Sequence, residues 1–457
     1  MDSQLGTEED GNDPTSDNSD AISIPEIECS GMFGYAVGHF YNDLCASMWF
    51  TYLMIFLERV IHFRASVAGF LMLVGQVTDA VSTLFVGIAS DSFCLPFFFK
   101  NFGRRISWHL IGTIFVTLSF PFIFNNSLLS VNAADIWKIC WYSSFIVIFQ
   151  FGWAAVQISH LALIPELCTD SSFRNTLGSL RYFNIEFDIL ISSFVVVGVG
   201  IITSLLFYLT TKEPNNIRTL SRLNSLSSTA SELVKMSYKK WFCHLQFYQI
   251  ALLYMFSRLY INISQVYFPF YITMAVNLSK KYIAVLPMIS YIFSFIISTI
   301  VGIPVVNKFV GNKVLYFFGC LLGIAGCVVM YMDRTMVSVF FATVLIGLAQ
   351  GVVLVSVLAV TADMINKNTE SGAFVYGAMS FLDKLANGIA YQVLELINPG
   401  CNTSVADEKC NSFYSNVISL VPAGCLTLSL LILLTLSKQN IGVRHRNIST
   451  HTGFFLK

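Results

Sequence analysis

The chain has 457 residues, 55% of them hydrophobic and only 12% charged, with a formal net charge of zero and a mean hydropathy of +0.66. A soluble domain carries about a quarter of its residues charged, so composition excludes a soluble enzyme, and the balanced charge gives no reason to expect a nucleic-acid partner. Eleven cysteines are scattered without a CxxC pair or zinc spacing, and no Walker loop, catalytic triad or dinucleotide fingerprint occurs. No enzymatic activity, metal or bound cofactor is therefore expected.

In chain order, residues 1–30 are acidic and rich in Asp, Ser and Asn. They predict a disordered tail rather than a signal peptide. Beyond them, Asp, Glu, Lys and Arg are missing from 107–134, 139–165, 189–211, 282–307, 335–362 and 411–437. A helix needs about 20 such residues to cross a bilayer, and in lipid only helices or closed barrels satisfy every backbone polar group. The blocks predict an all-α polytopic membrane protein. Spans are expected near 33–57, 66–90, 107–126, 139–163, 189–210, 247–276, 282–303, 314–331, 336–362, 371–394 and 413–436, eleven in all.

Of the 27 Lys and Arg residues, 18 fall in 91–106, 164–188, 211–246, 304–313, 363–370 and the tail after 437, and seven in the other connections. The positive-inside rule places the first set in the cytosol. The expected organisation is a cytosolic tail 1–30, a first transmembrane half 31–210, a cytosolic loop 211–246, a second half 247–437 and a basic cytosolic tail 438–457. The opposite side carries glycan acceptor patterns at Asn125, Asn277 and Asn402, and Cys401 and Cys410 in one loop. Those features suit a lumenal or extracellular face, where a disulfide can persist.

One crossing does not balance. Segments 164–188 and 211–246 both look cytosolic, yet only one apolar block lies between them. Residues 172–188 hold Arg174, Arg181, Glu186 and Asp188, a poor span at about 2.5–3.5 kcal/mol per mid-membrane charge. The stretch beginning Ser159-His160-Leu161-Ala162 resembles that beginning Ser356-Val357-Leu358-Ala359, each running on to an acidic residue, Glu166 and Asp363. Two similar halves are the mark of a duplicated transporter. After that motif the first half is shorter than the second by about a helix and a loop. The expectation is a twelve-span architecture of two pseudo-symmetric six-helix halves, from which most of span five is missing.

Ionisable groups inside spans are functional suspects, because each is costly there unless paired or hydrated. Asp43, Asp79, Arg258, Asp383 and Lys384 stand out, with Asn262 and Gln265 on nearly the face of Arg258 and Asn387 a turn beyond Asp383. Asp383 is left open to the alternative of facing the cytosolic end. Gln157, Ser159 and Asn387 are uncharged polar groups able to touch a solute. His39 and His160 are read as packing histidines, and the aromatic residues as mainly lipid-facing and interfacial. Gly87-x-x-x-Asp91 followed by Gly103-Arg104-Arg105 forms a stretched version of the major facilitator loop signature. Its acidic and basic groups can pair at the cytosolic helix ends and hold one arrangement of the halves.

The stretches 35–52, 118–124, 145–157, 163–167 and 371–388 resemble a lysosomal and melanosomal branch of the major facilitator superfamily, akin to the glycoside–pentoside–hexuronide:cation symporters. The resemblance implies import of cysteine into those organelles, with the plasma membrane as the alternative location. It implies that Asp43 corresponds to a sugar-binding carboxylate. Asp79, Thr83 and Gln157 then stand where the symporters have three cation-binding carboxylates, and Arg181 and Lys384 match the family's span-five Arg and span-eleven Lys. With one carboxylate of three, sodium coupling loses support, which leaves proton or other cation coupling, or facilitated transport. The expected function is alternating-access transport of a small solute across a lipid bilayer, with Asp43, Asp79, Gln157 and Lys384 facing a mid-membrane site. The alternatives are a carbohydrate:cation symporter and a non-transporting regulatory membrane protein. Oligomeric state is not legible.

Overall fold

The computed structural model describes residues 37–92, 103–129, 133–167, 189–211, 238–279, 281–302, 310–365, 372–400 and 408–436. Its helices are α1 Phe40–Arg59, α2 Ala65–Ser92, α3 Arg104–Ile123, α4 Asp135–Leu167, α5 Ile189–Thr210, α6 Tyr238–Trp241, α7 Leu245–Phe270 with a π turn Tyr271–Ala275, α8 Tyr282–Gly302, α9 Asn312–Met332, α10 Met336–Ile365, α11 Gly372–Leu396 and α12 Glu408–Leu434. Apart from the single turn α6, each is long enough to cross a bilayer, so a long helix stands at each of the eleven expected spans.

Eight of these helices are also apolar enough to cross a membrane. The other three are α1, α7 and α11. Their hydropathy is lowered by the groups that matter most below: Asp43, Glu58 and Arg59 on α1, Arg258 on α7, and Asp383, Lys384 and Glu395 on α11.

Packing follows the duplication. In the first half α4 packs on α2 and α3, and in the second half α10 packs on α8 and α9. Likewise α5 packs on α1 and α3, as α12 packs on α7 and α9. The helix at 189–210 is thus the counterpart of α12, the last helix of its half. Between the halves α11 lies along α2, but no described helix of the first half covers α8 in the matching way. The position symmetric to α11 is the one the sequence leaves short. Residues 168–188, including Arg181, lie outside the described set.

Without water to expel between them, membrane helices associate by close packing, which favours small residues where they cross. A Cβ at Gly347 of α10 would strike the Ser290 carbonyl of α8, and one at Gly351 would come 2.5 Å from the Ser294 carbonyl. Backbone cannot step aside as a flexible side chain can. Gly424 on α12, by contrast, has open space around it. Gly347→Val is expected to lower the thermal stability of the detergent-purified protein by about 1–3 kcal/mol or more from overpacking, with Gly424→Val near wild type. Equal melting curves for the two variants would refute the close α8–α10 crossing.

The aromatic residues correct an expectation. The largest fully buried side chains include Trp49, Phe56, Phe120, Phe124, Tyr142, Tyr260, Tyr267 and Tyr316, so much of the aromatic content is core rather than lipid surface. Trp49 stacks on Phe149 with centroids 5.5 Å apart and meets Trp153 edge-on at 6.3 Å, an arrangement that uses the ring quadrupoles.

The connections α1–α2, α3–α4, α9–α10 and α11–α12 share one end of the bundle, here called the distal end. It is the end with few Lys and Arg residues.

Candidate functional site

The helix pair α2–α11 joins the two halves. A Cβ at Gly388 would lie 3.0 Å from side-chain atoms of Gln76 and Leu73, so this glycine lets the helices meet at mid-membrane. One turn away from it, Lys384 Nζ donates to Asp79 Oδ1 at 2.7 Å and to Thr83 Oγ1 at 2.5 Å. Thr83 in turn donates to Asp79 Oδ1 at 3.3 Å. Asp79 and Thr83 are four residues apart and so share one face of α2. The charged side chains are 9% and 8% exposed. A lone charge at that depth is expensive, and pairing with satisfied hydrogen bonds is what makes it tolerable.

The neighbouring residue turns the other way. Asp383 Oδ2 lies 3.2 Å from Arg258 Nε of α7, and Asn387 Nδ2 donates to the Asp383 backbone and carboxylate oxygens at 2.9 and 2.7 Å. Asp383 is 3% exposed, so it does not face the cytosolic end; it is the inner anchor of Arg258. Consecutive helix positions differ by about 100° around the axis. Asp383 therefore ties α11 to its own half while Lys384 ties it to the other.

Asp43 belongs to a second cluster. His39 Nδ1 lies 3.1 Å from Asp43 Oδ1. The His39 ring meets His160 of α4 at 5.1 Å, and His160 meets His109 of α3 at 5.9 Å. His109 Nδ1 contacts the Tyr208 hydroxyl of α5 at 2.8 Å, and Thr113 contacts that hydroxyl at 2.9 Å. His39 and His160 thus pack in a row of buried imidazoles that begins beside Asp43. His109 lies in a block free of Asp, Glu, Lys and Arg, where an imidazole is the one ionisable signal in the sequence. Gln157 is partly exposed on α4, and Ser159 is buried. Among the described residues no three His, Cys, Asp or Glu side chains are placed to hold a metal ion.

A narrow cleft opens between α1 and the second half. Its lining includes Thr51, Gln265, Ser290, Tyr291, Thr343 and Gln350, and no charged side chain contributes. Thr51 and Tyr291 hydroxyls bridge the halves at 3.1 Å. Hydroxyls and amides without a formal charge suit the hydrogen-bonding groups of a small polar solute.

The remaining predicted positions are dispersed. In the loop signature, Gly87 sits in open space on α2, and Gly103 (φ 88°) precedes α3 in a backbone region that glycine favours. Asp91 and Arg104 are helical, but their side chains lie outside the described set, and Arg105 is partly exposed. At the distal end Cys410 is disulfide-bonded; its expected partner Cys401, like Asn402, lies outside the described residues. Asn277, in the connection from α7 to α8, is exposed with φ 58°. Asn125 Nδ2 instead donates to the Pro121 carbonyl at 2.5 Å.

Two like halves of membrane helices, clasped by a buried ion pair and with a cleft of uncharged lining between α1 and the second half, define a secondary transporter of the major facilitator type. The model of the MFS/sugar transport protein family matches residues 34–216 and 189–437. The horse (Equus caballus) major facilitator superfamily domain-containing protein 12 is 39% identical over 452 residues, covering 89% of this chain and 94% of its own. The human (Homo sapiens) protein of that name is 40% identical over 436 residues, covering 85% and 89%. A crystal structure of a D-xylose–proton symporter superposes with a TM-score of 0.65 at 14% identity over 92% of this chain and all of that one. The chain belongs to the MFS/sugar transport protein family, within the group of major facilitator superfamily domain-containing protein 12.

Proposed function

We propose that this transporter carries cysteine, or an amino acid of similar size and polarity, into a lysosome or melanosome. The observation that carries the reading is the Asp79–Thr83–Lys384 clasp between the halves. It offers an anion and a cation side by side at mid-membrane, the pair of charges that a zwitterion's ammonium and carboxylate would meet. The uncharged lining of the cleft suits a small polar side chain better than a second formal charge. On this reading the distal end, with its disulfide-bonded Cys410, faces the lumen. The Lys- and Arg-rich connections then face the cytosol. Exchange of the Lys384 partner between Asp79 and the solute would couple binding to the rocking of the halves. A proton taken up by Asp79 when the clasp opens would serve the same end.

The test is uptake of labelled cysteine by lysosomes isolated from cells expressing the chain, with labelled xylose in parallel and Asp79→Asn as control. Cysteine uptake that the control abolishes is the expected result. Xylose uptake without cysteine uptake would replace the substrate assignment with a sugar. Correct delivery with no uptake of either would favour a non-transporting membrane protein.

A further inference from the structure

The distal end holds a second group of charges that the clasp does not use. Glu58 lies in the last turn of α1, in the first half, and Glu395 in the last turn of α11, in the second. Glu395 is 2% exposed, and the two carboxyl groups lie close enough to act on each other. Glu395 Oε2 accepts from Asn398 Nδ2 at 2.7 Å, and that amide also reaches the Tyr414 hydroxyl of α12 at 3.1 Å. Glu58 Oε1 and Glu395 Oε1 are both buried without an N–H or O–H donor. The Tyr267 hydroxyl of α7, wholly buried, faces Glu395 and makes no hydrogen bond of ordinary geometry.

Ionised carboxylates only accept hydrogen bonds. Two of them in contact need a proton between them, because like charges at that distance do not both persist in a buried site. The surrounding titratable groups agree on the number. Arg59 of α1 acts on both carboxyls and supplies one positive charge, with its guanidinium 5.8 Å from the Phe270 ring centre. Among the described residues the other titratable neighbours are the hydroxyls of Tyr267 and Tyr414. From α2 the neighbour is Gly69, where a Cβ would come 2.8 Å from that of Glu395. Two carboxyls, one guanidinium and one proton make a neutral cluster.

We propose that Glu58 and Glu395 form a proton-binding site that exists only while the two halves are closed at the distal end. The proton sits between one oxygen of each carboxyl. When the halves part, α1 separates from α11, both carboxyls meet water and ionise, and the proton leaves to the distal solution. Closure binds one proton more than the open state, so falling distal pH favours closure, by at most about tenfold in the closed-to-open ratio per pH unit. An acidic distal compartment would therefore hold the transporter closed on that side and ready to accept solute from the other.

The test needs neither solute nor flux, so it stands apart from the substrate assignment. The full-length chain in nanodiscs is labelled site-specifically at Arg64 and Met332, exposed positions of opposite halves near the distal end, and the distance between labels is followed against pH. The wild type is expected to close as pH falls. Glu395→Gln, whose amide donates permanently to Glu58, is expected to stay closed with a flat profile, and Glu58→Gln likewise. A wild-type protein insensitive to pH, or variants that keep the wild-type profile, would overturn the proposal. Infrared spectroscopy of the wild type gives a check that requires no variant. The closed state should show a protonated-carboxyl band that is lost on opening, and absence of that band would overturn the proposal too.

Discussion

Asp79→Asn alone is expected to abolish uptake and to destabilise the protein. Adding Lys384→Met should recover the stability but not the uptake. Both charged side chains are under a tenth exposed, so solvent screens them little. Removing one partner of a buried pair leaves an uncompensated charge and costs about 3–5 kcal/mol, whereas replacing both by apolar groups of similar volume is often neutral or stabilising. Thr83 softens the first loss, since its hydroxyl stays within 2.5 Å of Lys384 Nζ, so the lower end of that range is expected. Thermal unfolding in detergent and uptake in proteoliposomes separate the two effects. A double variant that regains uptake would reduce the clasp to a structural tie, and a single variant with full uptake would remove Asp79 from the mechanism altogether.

The clasp was legible because lone charges in apolar blocks announce themselves: Asp79 and Lys384 are each conspicuous in their helices. Thr83 was reached only through family resemblance, since a threonine in a membrane helix carries no signal of its own. Which partner each charge takes was not legible. Asp383 and Lys384 are adjacent in the chain, and only the positions of α7 and α2 decide that one points into its own half and the other across. Glu58 and Glu395 escaped notice for another reason. They sit at helix ends, where charges ordinarily reach out to water, and only the packing of neighbouring helices, α2 at Gly69 among them, turns Glu395 inward. The eleven long helices and the short first half followed directly from charge-free stretches and from counting residues after the repeated motif. The packing agrees with the missing fifth span, since α5 takes in its half the place that α12 takes in the other.

The Arg258–Asp383 pair gives the contrasting expectation. It lies within the second half, joining α7 to α11, and rocking of the halves need not break it. Asp383 is nearly wholly buried, while the Arg258 side chain is 26% exposed. The cost of losing the arginine therefore falls on the carboxylate that remains. Arg258→Met is expected to cut the yield of folded protein and lower its melting temperature, with a loss smaller than the full 3–5 kcal/mol because of that exposure. Arg258→Met with Asp383→Asn should restore most of the stability, since a neutral amide can still accept from Asn387 where the carboxylate did. If the pair only braces α11, the double variant also regains uptake, whereas the clasp double variant does not. Uptake lost in both would move Arg258 and Asp383 into the transport path, and α11 would then carry two moving contacts rather than one fixed and one moving.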